Sequence, residues 1–554
     1  MTMGDVSRDI ITELEADVVR NVGTLPTRPN VIQLEPDAIR TEAEKYGTRT
    51  KFGNYNFISS VKNRSAGATV YLGGKEVEQK KLSDQQKHII RNLPTTLGKL
   101  HEYLKQTPLI RLKRFMGQNR HFVPQCKLYV SLQRPESVRL TYYFSISLFE
   151  KALGAGPDLS LVYVPEWLET SRQILVFPRA GVTYVLGTDY YGEVKKGFLR
   201  MAMWQAKQQN KLGLHAGSKM LVAKDKHGKV RRYGMILFGL TATGKTTHSC
   251  HNHGLTGKGE SAKVLQDDVV FLCKDGTAYG TERGFYVKTE GLNPESQPVL
   301  YQGCTSPNTL WENVMVDYEG EVHFDDDCMT GNARAVVRRE DLGKKWIARG
   351  IDLPSVNDLD GLIVAFITRH NTVVPIASKL TPEEAVGAFM LGESVESTGG
   401  DPRKAGQSVR VVGTNPFIIG DEAQEGNWFY DFVKSNEKKV QCYLLNTGGI
   451  GEIREQGEDG IPLIKQGVTR VQIPEMAAII RGIIKGTIEW GDNALWKVEV
   501  PKKVEGMDIS RFELHRFYLP GTIERYSTRL KQERIEYLEQ FPELDPSVIK
   551  AYKF

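Results

Sequence analysis

The chain has 554 residues, 40% hydrophobic and 25% charged, which exceeds what one ordinary hydrophobic core organises and excludes wholesale disorder. Two large lobes or three smaller domains are expected, with a cleft between lobes. A net charge of +6 is close to balanced at this length, so a nucleic-acid coat is not expected, although local basic clusters suit phosphate or carboxylate ligands.

Six cysteines, Cys126, Cys250, Cys273, Cys304, Cys328 and Cys442, lack C-x-x-C spacing. That argues against a zinc knuckle or a disulfide framework and points to a reducing compartment. The opening Met-Thr-Met-Gly-Asp-Val-Ser-Arg-Asp carries acids and no apolar core of signal-peptide length, and no later segment offers about 18 uninterrupted apolar residues. The expectation is a cytoplasmic protein that does not span a membrane.

In chain order, residues 1 to about 50 are polar, with a helix expected from Glu35 to Lys45. From Phe52 to about Gly213, β-rich runs such as Lys127-Leu-Tyr-Val-Ser-Leu and Arg139-Leu-Thr-Tyr-Tyr-Phe alternate with helical stretches, which suggests an N-terminal α/β lobe. Met220–Ala223, a turn through Lys226-His-Gly-Lys, and Tyr233–Phe238 read as strand, turn, strand, the basic run from Lys224 to Arg232 being a solvated hairpin tip. Leu362–Ile376 reads as a strand leaving the core, and Thr381-Pro-Glu-Glu opens a helix. The stretch 397–402, Ser-Thr-Gly-Gly-Asp-Pro, suits a lid that excludes water. Val440–Asn446 reads as a buried strand before Thr447-Gly-Gly-Ile-Gly, and Thr522–Phe554 as one or two charged amphipathic helices.

Gly239-Leu-Thr241-Ala242-Thr243-Gly244-Lys245-Thr246 matches G-x-x-x-x-G-K-[ST] at every fixed position, after an apolar run and before a helix-compatible segment. Small residues let successive backbone N–H groups turn around an anionic phosphate, and the helix start adds positive potential. Lys245 would bridge the outer phosphates and the Thr246 hydroxyl would ligate magnesium. About twenty residues on, Val264-Leu-Gln-Asp267-Asp268 carries two carboxylates to a strand end, where side chains alternate sides and could serve two different metal ions.

Together with these motifs, Gly284-Phe-Tyr286-Val-Lys288-Thr289, Tyr190-Tyr-Gly-Glu-Val-Lys195-Lys196-Gly197, Leu214-His215, Glu312-Asn-Val-Met-Val and Asn332-Ala-Arg334 make the chain resemble ATP-dependent phosphoenolpyruvate carboxykinase over about residues 50 to 490. The resemblance implies a two-lobed α/β fold with a P-loop mononucleotide-binding C-terminal domain. The lobes would be 1–213 for substrate and 214–554 for nucleotide, with the segment near 325–340 contributing to the first. It implies the reaction of oxaloacetate and ATP to phosphoenolpyruvate, CO2 and ADP, by a monomer or small homo-oligomer that binds no nucleic acid.

By position, the resemblance gives Lys196, His215 and Asp268 to a manganese ion, and Thr246, with Asp267 behind it, to the magnesium of Mg-ATP. Arg64, Tyr190 and Arg334 would hold oxaloacetate and the departing CO2, and Lys195 and Lys245 would neutralise phosphate. The loop residues Gly239, Thr241, Ala242, Thr243, Gly244, Lys245, Thr246 and Thr247, with Lys288, Gln297 and Arg470, would contact the nucleotide. Lys196 would have to ligate as the neutral amine.

Singly, a Lys-Lys pair, a histidine or an arginine on a turn reads as ordinary surface or structure. Their joint order around the loop carries the argument. Against the family pattern, Asn63-Arg64-Ser65-Ala-Gly-Ala-Thr lacks the usual basic and acidic support. Ala216 replaces a cysteine, Val269-Val270 an acid and a histidine, Gln297 an acid and Met476 a threonine, and 448–469 is longer than usual. Two other readings stand beside this one: another P-loop phosphotransferase acting on a small molecule or a protein, and a nucleotide-binding regulator without turnover.

Overall fold

A computed structural model describes residues 8–61, 63–79, 81–167, 169, 171–240, 243–326, 332–395, 407–456 and 462–553. Thr241, Ala242, Cys328 and the glycine-rich 397–402 stretch lie outside the described residues. The chain forms two units, neither of them continuous in sequence. One takes Met1–Gly213, Tyr279–Gly343 and Phe417–Asp421, the other Leu214–Ala278, Lys344–Pro416 and Glu422–Phe554. Both mix helices with sheets.

In the first unit a seven-stranded mixed sheet runs in the order Val31–Gln33, Leu109–Phe115, Gln125–Ser131, Asp158–Val164, Val182–Leu186, Gln173–Phe177, Thr69–Tyr71. Its central strands are buried along nearly their whole length and read as continuous apolar runs, as strands covered on both faces do. Helices Arg8–Thr24, Asp84–Arg91 and Leu93–Tyr103 lay Ile11, Val18, Ile90, Leu97 and Leu100 into one core with Val162, Leu175 and Tyr184. A five-stranded sheet, ordered Gly284–Lys288, Arg334–Arg338, Leu310–Glu312, Tyr55–Phe57, Thr48–Arg49, completes the unit.

One expected strand is a helix. Val138–Ser147, which contains Arg139-Leu-Thr-Tyr-Tyr-Phe, is α-helical and all ten of its residues are buried. A short apolar run buried on every side shows no periodicity to tell helix from strand, so β-propensity misleads there.

The second unit is built on an eight-stranded sheet, ordered Ser261–Gln266, Ala216–Lys224, Val230–Gly239, Gly361–Thr368, Val440–Asn446, Ala377–Leu380, Val498–Lys503, Glu489–Asn493. The strands Val230–Gly239, Gly361–Thr368 and Val440–Asn446 are parallel neighbours, so their carboxyl ends share one sheet edge, where open α/β sheets collect ligands. Residues 225–229 form the tip of the expected hairpin between Ala216–Lys224 and Val230–Gly239. Helix Pro382–Leu391 starts where Thr381-Pro-Glu-Glu placed it, and its cap is reciprocal, Thr381 Oγ1 accepting from Glu384 N while Glu384 Oε2 accepts from Thr381 N.

The tail forms helices Pro520–Leu538 and Pro546–Tyr552, and Arg534 of the first meets buried Glu393 at 2.6 Å. No helix among the described residues is long and apolar enough to cross a membrane. Cys126, Cys250, Cys273, Cys304 and Cys442 are free thiols.

Candidate active site

At the carboxyl edge of the second unit's sheet, strand Val230–Gly239 runs into the phosphate-loop motif and then helix Lys245–Cys250. Gly244 turns the chain at φ +95°, a conformation open to glycine at little cost. The hydroxyl of Thr447, just past strand Val440–Asn446, donates to the carbonyl of Thr243 at 2.6 Å and lies 3.1 Å from that of Thr368. One side chain thus links the loop after the first of the three parallel strands to the ends of the other two.

Around that edge the acidic pair divides its contacts. Asp268 Oδ1 lies 3.0 Å from His215 Nε2 and 3.6 Å from Lys245 Nζ, while Asp267 Oδ2 accepts from the Thr246 hydroxyl at 3.3 Å. His215 Nδ1 is 2.6 Å from the carbonyl oxygen of Thr414. A carbonyl only accepts, so Nδ1 carries a hydrogen, and Nε2 is the nitrogen that faces the carboxylate. An imidazole oriented through its other nitrogen by a backbone carbonyl, beside a carboxylate, is the donor set a divalent transition metal takes.

In the first unit, helix Tyr191–Gln208 carries Lys195 and Lys196. The segment before Arg64 is anchored by Asp189, which accepts from Ser60 N at 2.9 Å and Val61 N at 3.1 Å, and Glu193 accepts from Ser65 N. Arg64 and Lys196 both lie over the ring of Phe417, at 4.4 and 4.9 Å from its centroid. Burial draws the Arg64 guanidinium below its ordinary value, with the Glu193 charge opposing it. Asn332 Nδ2 donates to the Tyr190 hydroxyl and its oxygen accepts from Arg334 Nε, both at 3.1 Å. Arg334 stands over the ring of Tyr286, whose hydroxyl donates to Glu312 at 2.7 Å.

A family model described as phosphoenolpyruvate carboxykinase matches residues 28–510. The chain belongs to the ATP-dependent phosphoenolpyruvate carboxykinase family. It is 32% identical to the ATP-dependent phosphoenolpyruvate carboxykinase of Aeropyrum pernix over 70% of this chain and 72% of that one. It is 27% identical to the corresponding protein of Ruegeria pomeroyi over 65% of this chain and 63% of its relative. For the glycosomal enzyme of Trypanosoma cruzi the figures are 28%, 55% and 58%. Membership makes the chain a carboxy-lyase that uses ATP, and replaces the reading as an unrelated P-loop phosphotransferase.

Not every residue that the family resemblance singles out is held as expected. Lys195 is clasped by both oxygens of Glu282, at 2.6 and 2.5 Å, in a pair almost wholly out of water. Lys288 pairs with Glu290 near the surface, and Gln297 stands at the start of helix Pro298–Cys304 with no side-chain bond to its first turn. Arg470 is exposed and lies across the backbone from Gly449, two residues beyond Thr447. Sequence reasoning missed Phe417, Thr414, Glu282 and Thr447. No motif signals a lone aromatic after Asn-Pro, or a carbonyl far along the chain from the histidine it orients.

Proposed function

We propose that this carboxykinase works with two divalent ions, a manganese held by Lys196, His215 and Asp268 and a magnesium held by Thr246 with Asp267 behind it. The supporting observation is the orientation of His215, fixed through Thr414 so that Nε2 faces Asp268 at 3.0 Å. Among the described residues no group of three or more His, Cys, Asp or Glu side chains is placed to hold a metal. The third donor in this reading is the amine of Lys196, the lysine that the family resemblance gives to the same ion. When bound, the ions supply Lewis-acid stabilisation of developing oxyanion and phosphate charge.

In the reaction, oxaloacetate loses CO2 by cleavage of the bond to its β-carboxylate, and the electron pair becomes an enolate. The enolate oxygen attacks the γ-phosphorus of ATP and ADP departs. Arg64 and Arg334 bind the carboxylates, and Tyr190, oriented by Asn332, fixes the departing carboxylate. Lys245 and the loop 239–247 hold the phosphates, where positioning and charge neutralisation do most of the catalysis. Lys288, Gln297 and Arg470 contact the rest of the nucleotide. The reading is tested by following phosphoenolpyruvate formation from oxaloacetate and ATP while manganese and magnesium are varied separately. Lys196→Arg should lose the manganese-dependent turnover and keep ATP binding. Turnover indifferent to manganese, or intact in Lys196→Arg, would overturn the assignment.

A further inference from the structure

Behind the phosphate loop lies a cluster of basic side chains with no part in the chemistry above. Lys219 sits in the middle of strand Ala216–Lys224, fully buried between strands Val230–Gly239 and Ser261–Gln266. Its ammonium donates to the carbonyls of His248 at 2.9 Å and His251 at 2.6 Å, and meets His253 Nε2 at 2.9 Å. The two carbonyls belong to the last turn of helix Lys245–Cys250 and to the residue that follows it. The helix that begins at the phosphate loop therefore ends on this lysine. Its closing carbonyls would otherwise be buried without donors, and a positive charge there complements the negative end of the helix.

The same strand face makes two further approaches. Residues two apart on a strand point the same way, so Gly217 and Lys219 share a side, and His215 stands immediately before the strand begins. His215 faces Asp268. At Gly217 an added Cβ would come within 2.2 Å of Ser249 Oγ, so only glycine lets the strand and the helix come this close. Lys219 then takes the end of the helix.

We propose that Lys219 is a positioning residue for ATP: by clamping the far end of helix Lys245–Cys250 to the strand that follows His215, it fixes the helix start at Gly244–Thr246 for phosphate binding.

Burial lowers the amine to about 7, and the neighbouring imidazoles stay neutral at that pH, His248 at about 3 and His251 at about 4, each chiefly through burial. The clamp survives loss of the proton. A neutral amine keeps two N–H groups for the two carbonyls and offers its lone pair to an N–H on His253 Nε2.

The inference rests on the reading of residues 239–246 as the ATP phosphate site, so the experiment separates the two. ATP dissociation constants are measured by calorimetry, and KM values for ATP and oxaloacetate by assay, for wild type, Lys219→Met, Lys219→Gln and Lys245→Met, with melting curves as the folding control. Lys219→Met should weaken ATP binding about tenfold and leave the oxaloacetate KM within about twofold. Lys219→Gln, which restores two N–H donors, should recover most of that loss and also serves if Lys219→Met does not fold. Unchanged ATP binding in a folded Lys219 variant, or equal losses for both substrates, would overturn the proposal. Undiminished ATP binding in Lys245→Met would instead overturn the phosphate-loop reading beneath it.

Discussion

In the first unit, Lys195 is held by both oxygens of Glu282, and Glu312 accepts from Tyr191 N at 3.0 Å and from the Tyr286 hydroxyl at 2.7 Å. In the second, Asp268 stands 3.0 Å from His215 and 3.6 Å from Lys245, with 10–12% of each side chain still exposed. The first arrangement is a saturated, buried network, expensive to disturb because any group removed leaves a partner unsatisfied. In the second, Thr414 holds His215 through Nδ1, and the side chains of His215, Asp268 and Lys245 all keep some exposure. On the proposed reading, the metal and phosphate groups follow the second plan, and the frame around Arg64 and Arg334 follows the first.

The largest effect is expected at the lightly held site. Asp268→Asn should lower kcat/KM for phosphoenolpyruvate formation on the order of 100-fold with little change in melting temperature, because the carboxylate serves ligands more than the fold. A large melting shift with near-normal turnover would erase the contrast between the two regions.

The saturated network should answer to pH instead. Burial pushes the Glu312 carboxyl up to about 7. Between its ordinary value near 4.5 and that point the folded state holds a proton that the unfolded state has released. The stability this group contributes is therefore full at low pH and is lost as pH rises toward 7 and beyond. The stability difference between wild type and Glu312→Gln, from denaturant midpoints, should fall by roughly 2–3 kcal/mol from pH 5 to pH 8. A difference flat with pH would show that Glu312 is ionised throughout.

The smallest effect is expected at Phe417, whose ring lies against both Arg64 and Lys196. Phe417→Leu should raise the KM for oxaloacetate about fivefold, the worth of a cation–π contact of ~1 kcal/mol, without changing ATP binding. Equal effects on both substrates would mean that the ring supports the fold rather than Arg64 and Lys196.

Much of this was legible along the chain where the signal is local. The strand before Gly239 and the helix after Gly244, the carboxylates at the end of Ser261–Gln266, the Thr381–Glu384 cap and the strand Val440–Asn446 all follow from patterns a few residues long. The failures are non-local. Arg139–Phe144 is a helix because it is enclosed on all sides, and helix Arg8–Thr24 was hidden in a stretch that looks merely polar. Lys195 reads as a phosphate ligand until Glu282, 87 positions away, is seen holding it.

By itself the sequence determined the family and the order of the motifs that carry it, since spacing and side-chain chemistry are written in order along the chain. Tertiary structure alone decided how those groups are held. It committed His215 Nδ1 to Thr414, gave Lys195 to Glu282, laid Arg64 and Lys196 on Phe417, and buried Lys219 under the end of a helix. Each of these depends on residues distant in sequence meeting out of water, where burial and a single neighbour set the protonation state and direction of a side chain, and no local pattern encodes that meeting.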